Sequence, residues 1–185
     1  MEWSQSLRGH ILNPLLKILS KLGLTASHIT FLSLLAGLAF CPLFIWNHKL
    51  IAFALLLLHV LLDGLDGPLA RFQGTASNRG SFTDTIVDQI VVTVTAITMI
   101  QAQHAGIWPG SLYIFFYAIV VVFAFVRNAL NSPYSWLFRP RFIVFGWFII
   151  DTYWWEGSLN WVLSIAASVL ALKALTGFFS IRKRI

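Results

Sequence analysis

Apolar runs of membrane-crossing length, separated by short polar breaks, set the pattern of this chain. They lie near residues 29–46, 50–66, 84–103, 111–130, 142–155 and 159–179. A helix that crosses the hydrocarbon core needs about 20 mostly apolar residues. The run at 142–155, FIVFGWFIIDTYWW, is short for that and contains Asp151, so it reads as a tilted or partly re-entrant segment. Ahead of the first run, Leu7, Ile11, Leu12, Leu15, Leu16, Ile18, Leu19 and Leu22 recur at helical spacing, with Arg8, Lys17 and Lys21 between them. Residues 5–22 are therefore expected to form an amphipathic helix on the membrane surface. The plainer alternative is a juxtamembrane extension with a solvated face. The fold class expected is an all-α membrane protein of six transmembrane helices behind that surface helix. One domain is expected over 1–185, with 5–22 juxtamembrane and 29–179 as the bundle.

Composition agrees. The 185 residues are 58% hydrophobic and 11% charged, and mean hydropathy is +0.78; a soluble globular domain is about 25% charged. The first 25 residues show no signal-peptide pattern, because lysines interrupt the apolar stretch and no small-residue cleavage site follows. Cys41 is the single cysteine, so an internal disulfide is excluded. The net charge of +6 comes from basic residues that flank the apolar runs. That placement argues for membrane topology and anionic lipid rather than nucleic acid as the partner. With the N-terminus in the cytoplasm and six spans, Arg8, Lys17, Lys21, Arg71, Arg79, Arg127, Arg139, Arg141, Lys173, Arg182, Lys183 and Arg184 fall inside and only Lys49 outside. Five spans would put the terminal RKRI outside, against the positive-inside rule. Trp46, Trp108, Trp154, Trp155 and Trp161 then sit near the outer boundary as an aromatic belt, with Asp151 and Glu156 on that same outer side.

The acidic residues break this pattern. Four of the seven, Asp63, Asp66, Asp84 and Asp88, crowd the end of the second run and the start of the third. Spacings of three and four put each pair on one face of its helix. Antiparallel neighbours joined by a short loop can bring the two pairs together in one four-carboxylate cup. Like charges at close range oppose one another's ionisation. Hard divalent cations relieve that, and magnesium or manganese, which prefer oxygen ligands, can bridge carboxylates to phosphates. Two such ions about 3.5–4 Å apart could share the four carboxylates. Gly67, Gly74 and Gly80 let a ligand come close to the backbone. Ala70 is small, and Arg71 and Arg79 can pair with phosphate. A structural origin for all four aspartates is the weaker reading, since intramembrane acids mark functional sites.

Written out, the pattern is Asp63-x2-Asp66-Gly67-x2-Ala70-Arg71-x8-Gly80-x3-Asp84-x3-Asp88. It resembles the signature of the CDP-alcohol phosphatidyltransferase family, with every fixed position matched. The resemblance extends to the number of spans and the overall length. Thr25-Ala26-Ser27 stands where the family often has Thr-Pro-Asn, but Thr25 or Ser27 can still cap the first span. The resemblance implies transfer of a phosphatidyl group from a CDP-linked lipid, CDP-diacylglycerol, to an alcohol, with release of CMP. It implies that Asp63, Asp66 and Asp84 bind two divalent cations, magnesium or manganese. It makes Asp88 the general base, able also to touch the second metal, and places Gly67, Ala70, Arg71 and Gly80 around the cytidine nucleotide. It also suggests a homodimer. The setting expected is a bacterial-type inner (plasma) membrane with the site on the cytoplasmic side.

The acceptor is less defined. Arg127, Arg139 and Arg141 could bind an acceptor that carries a phosphate; the bland reading makes them positive-inside charges, Arg139 and Arg141 above all. Glycerol 3-phosphate is the first choice of small polar acceptor, with inositol phosphate, serine or another alcohol as alternatives. His59 lies one turn before Asp63 and reads more readily as a packed core histidine than as a site residue. A cation-coupled transporter is the alternative from a different class, but its carboxylates would sit near mid-membrane rather than at helix ends.

Overall fold

The computed structural model describes residues 2–131 and 139–184, with side chains from Leu12 onward. Among the described residues there are seven helices and no strand: α1 (Glu2–Lys21), α2 (Ala26–Ile45), α3 (Lys49–Phe72), α4 (Asn78–Gln101), α5 (Ile107–Ala129), α6 (Arg141–Tyr153) and α7 (Leu159–Arg182). Five of them, α2, α3, α4, α5 and α7, are long and apolar enough to cross a membrane. α6 has 13 residues, about 20 Å at 1.5 Å per residue, which is short of a hydrocarbon core of about 30 Å. The expected six spans are thus five of full length and one short helix.

Helix ends follow local chemistry. Thr25 caps α2: its Oγ1 accepts from the His28 amide at 3.3 Å, and His28 Nδ1 accepts from the Thr25 amide at 3.3 Å. α3 ends before Gly74, whose φ of +67° is a left-handed conformation that favours glycine. α4 starts after Ser77, whose Oγ accepts from the Gly80 amide at 3.2 Å. α3 and α4 therefore both run further than their apolar runs, and only residues 73–77 separate them. The extension of α3 has its own support. Leu62, Leu65 and Leu69 recur at helical spacing and join a small core with Leu12, Leu16 and Leu19 of α1 and Ile29 of α2. Leu15 and Ile18 on α1, and Leu22 just past its end, stay exposed. Leu7, Arg8 and Ile11 of the expected amphipathic stretch lie outside the described side chains.

α2 packs along α3, α5 packs along α7, and α4 touches both α2 and α5. Phe40, Phe44, Phe53 and Phe148 fill the centre, with the Phe44 and Phe148 rings 4.8 Å apart. At the end where α4 meets α5 and α6 meets α7, buried Asp151 accepts from the Leu159 amide at 2.8 Å and meets His104 Nδ1 at 2.8 Å. This ties the α4–α5 turn to the ends of α6 and α7. The Gly106 amide donates to Asn160 Oδ1 at 2.7 Å across the same junction. Trp46, Trp108, Trp154, Trp155 and Trp161 are exposed at this end, as a belt would be. Lys173, counted above with the cytoplasmic charges, is instead buried within α7. His59 is fully buried, its Nδ1 2.8 Å from Ser33 Oγ and 3.1 Å from the Ser33 carbonyl oxygen, as expected of a packed histidine.

α2 and α4 come close together at Gly37. A Cβ there would stand 2.6 Å from the Cγ2 of Val91, a fully buried side chain. Valine is stiff about χ1 and cannot turn away cheaply. Gly37→Ala is therefore expected to destabilise the bundle by about 1–3 kcal/mol, read as a lower unfolding temperature in detergent. Combining it with Val91→Ala should recover part of that loss, a non-additivity that a mutant cycle would detect.

Candidate active site

The site lies where the C-terminal turns of α3 meet the N-terminal turns of α4. Asp63 and Asp66 lie three and two turns before the end of α3; Asp84 and Asp88 lie in the second and third turns of α4. Oxygens from Asp63, Asp84 and Asp88 all stand within 4.8 Å of one another. Asp66 is 5% exposed and lies within hydrogen-bonding reach of Asp84. Its Oδ2 accepts from Thr30 Oγ1 at 2.7 Å and its Oδ1 from the Gly67 amide at 2.5 Å. Four carboxylates from two helices converge, three as one group and the fourth held beside it by α2. The donors are all hard oxygens, which suits a divalent cation such as magnesium or manganese.

A cavity of about 780 Å³ opens beside the carboxylates. Asp66, Gly67, Ala70 and Arg71 line one wall; Arg79, Gly80 and Asp84 line another. The third wall is the first turns of α2, from Thr25 to Leu34, including Phe31. The cavity is thus acidic at one edge, basic at another, and apolar along α2. A Cβ on Gly67 would meet only the Arg71 guanidinium, at 3.6 Å, and one on Gly80 only the Ser77 hydroxyl, at 3.5 Å. These glycines keep the wall low rather than allow a special backbone conformation.

The three acceptor candidates separate. Arg127 is part-buried in the last turn of α5, and Arg139 is exposed just before α6; neither lines the cavity. Arg141 is 1% exposed at the start of α6. One of its terminal nitrogens donates to Asp63 Oδ2 at 2.5 Å and the other pairs with Asp88 Oδ1. Its guanidinium also lies over the Phe142 ring, 4.7 Å from the centroid. Arg141 is therefore not the solvated topology charge expected of it. Sequence reasoning missed both this bridge and Thr30. Arg141 left a weak signal, a basic residue opening a short apolar helix. Thr30 left none, because its partner lies 36 residues away.

A family model described as CDP-alcohol phosphatidyltransferase matches residues 23–177. The chain belongs to the CDP-alcohol phosphatidyltransferase family. It is 32% identical over 108 residues to a CDP-diacylglycerol–serine O-phosphatidyltransferase of Mycobacterium tuberculosis, covering 57% of this chain and 38% of that protein. To an archaetidylinositol phosphate synthase of Pyrococcus horikoshii it is 34% identical over 74 residues, covering 40% and 39%. The chain thus spans about two fifths of the length of these two relatives. The crystal structure of a Mycobacterium tuberculosis phosphatidylinositol phosphate synthase with CDP-DAG bound superposes with a TM-score of 0.80 at 19% identity, covering 93% of this chain and 94% of that one. The same protein was also solved in complex with manganese and citrate. At that identity the likeness establishes a shared fold.

Thr30 gives a direct check on how the cup is held. Thr30→Val keeps the shape and removes the hydroxyl that donates to Asp66. A hydrogen bond to a charged group contributes about 1.5–3 kcal/mol, so a loss of stability of that order is expected, measured by thermal unfolding in chelator. No change would mean that Asp66 is held by other groups.

Proposed function

We propose that this chain transfers a phosphatidyl group from a CDP-linked lipid, CDP-diacylglycerol, to a polar alcohol, releasing CMP. The observation that carries the reading is the convergence of carboxylates from α3 and α4 at the edge of a cavity lined by Gly67, Ala70, Arg71 and Gly80. Asp63, Asp66, Asp84 and Asp88 would hold two divalent cations, magnesium or manganese. Bound there, the cations supply Lewis-acid stabilisation of the charge that builds on the pyrophosphate oxygens.

The chain's own residues supply the rest. The low wall at Gly67, Ala70 and Gly80 admits the nucleotide. Arg71 and Arg79 offer guanidinium groups to phosphate oxygens. Phe31 and Leu34 on α2 give the donor's acyl chains an apolar side. Asp88 takes the proton from the acceptor hydroxyl as its oxygen attacks the lipid-side phosphorus. The new oxygen–phosphorus bond forms, the anhydride bond breaks, and CMP leaves with its electron pair. In this reading the site faces the cytoplasm of a bacterial-type inner membrane. α1 lies on that surface with Leu15 and Ile18, and Leu22 just after it, toward lipid, and α6 completes a six-helix bundle as a short, tilted member. The bundle forms one catalytic domain and pairs as a homodimer.

The relatives' names carry serine and inositol phosphate, so glycerol 3-phosphate no longer stands first among acceptors. Arg127 and Arg139 are the remaining basic candidates for a phosphate on the acceptor. The test is CMP release by purified protein in detergent, with CDP-diacylglycerol and magnesium. Serine, inositol phosphate, inositol and glycerol 3-phosphate are supplied one at a time. Release with one acceptor, lost on chelation, is the expected result. Silence with every acceptor, from protein shown to be folded, would sink the reading. Asp88→Asn should lower turnover by at least about a hundredfold, the scale of a lost general base, while the protein stays folded and inserted. Near-normal turnover would remove Asp88 from that role.

A further inference from the structure

We infer that Arg141 is a fixed counter-cation of the carboxylate cup, sharing Asp63 and Asp88 with the divalent cations rather than binding the acceptor. The inference rests on the cation-binding part of the proposed function. Three observations lead to it. The side chain is 1% exposed, so its charge is neutralised by the protein and not by water. Its two terminal nitrogens are both engaged, one with α3 through Asp63 and one with α4 through Asp88. It comes from α6, a third helix, which starts at the level of the cup.

The chemistry of the side chain fits the task. A guanidinium is planar and always charged, and its fork can take one oxygen from each of two carboxylates at once. A phosphate-bearing acceptor would have to displace one of those carboxylates to reach it. Four converging carboxylates repel one another, and two of them are part-buried, with side-chain exposures of 5% at Asp63 and 13% at Asp88. A permanent positive charge between these two offsets their repulsion and holds them convergent before any divalent cation arrives. It also removes one unit of negative charge from the cup, so it weakens divalent-cation binding relative to a cup without it. Arg141 is in this sense a positioning residue: it acts on the reaction through Asp63 and Asp88.

The experiment compares the full-length protein with Arg141→Met and Arg141→Lys in detergent. Manganese binding is followed by electron paramagnetic resonance, and unfolding temperature is read in chelator and in saturating manganese. Arg141→Met removes the charge. It should unfold at a lower temperature in chelator, bind manganese at least about fivefold more tightly, and gain more stability from manganese than the unaltered protein does. Lysine can reach one carboxylate but cannot bridge both, so Arg141→Lys should fall between the two. If only the lysine variant folds, its manganese affinity should exceed that of the unaltered protein at least twofold. Turnover should drop in both variants with the acceptor KM unchanged. Unaltered manganese affinity and unaltered stabilisation by manganese, with the whole effect in the acceptor KM, would overturn the inference and make Arg141 an acceptor ligand. Failure of the unaltered protein to bind manganese at all would instead strike the proposed function, so the two failures are distinguishable.

Discussion

Negative charge concentrated at the ends of two apolar helices is the constraint on which the site's architecture turns. Asp63, Asp66, Asp84 and Asp88 repel one another, and little water reaches Asp66 to offset it. The fold answers with positive charge and hydrogen-bond donors brought from elsewhere in the chain. α2 brings the Thr30 hydroxyl to Asp66, and α6 brings Arg141 to Asp63 and Asp88. Each contact joins a different helix to the α3–α4 pair. The groups that neutralise the carboxylates are therefore also the groups that position the helices. Breaking one partner of such a buried pair leaves an uncompensated charge, which costs more than the pair itself contributes.

Close packing makes those contacts possible. Gly37 lets α2 approach α4 so nearly that a methyl group would collide with Val91. About one turn before Gly37 the same helix face presents Ser33 to His59, and about two turns before it Thr30 to Asp66. A glycine in the middle of α2 thus works together with a hydroxyl near its N-terminal end. The leucines of α3 do a related job. By docking on α1, Leu62, Leu65 and Leu69 support the turns that carry Asp63 and Asp66. Without that support, a glycine-rich segment containing Pro68 would have a weak claim to remain helical.

Much of this was legible beforehand. The membrane class, the position of five spans, the aspartate pairs and the small-residue wall all follow from local pattern: hydropathy over about 20 residues, or spacings of three and four. The short helix was legible as an anomaly, since 142–155 has too few apolar residues and holds Asp151. What stayed hidden depended on contacts distant in sequence. α3 runs to Phe72, with its leucines docked on α1, and α4 starts at Asn78, capped by Ser77. Arg141 looked like a topology charge because positive-inside reasoning counts basic residues without asking what they face. Its aspartate partners lie 78 and 53 positions earlier in the chain, and nothing local points to them. The burial of Lys173 within α7 was likewise hidden from local pattern.

The two ends of the bundle treat buried acids in opposite ways, and the contrast bears on function. Asp151, at the opposite end from the site, is enclosed by His104, the Leu159 amide and Ser158. Its hydrogen bonds are local and directed, and they fasten a turn. The four aspartates at the other end border an open cavity of about 780 Å³, and their spacing leaves mutual repulsion for cations to relieve. A structural acid is satisfied by the protein alone, as Asp151 is. An acidic cluster that the protein satisfies only in part, beside a cavity whose walls also carry the Arg71 and Arg79 guanidinium groups, has the charge arrangement for a ligand that is itself anionic and carries cations with it. A pyrophosphate linked to a lipid matches both halves of that arrangement, the charged edge and the apolar wall on α2.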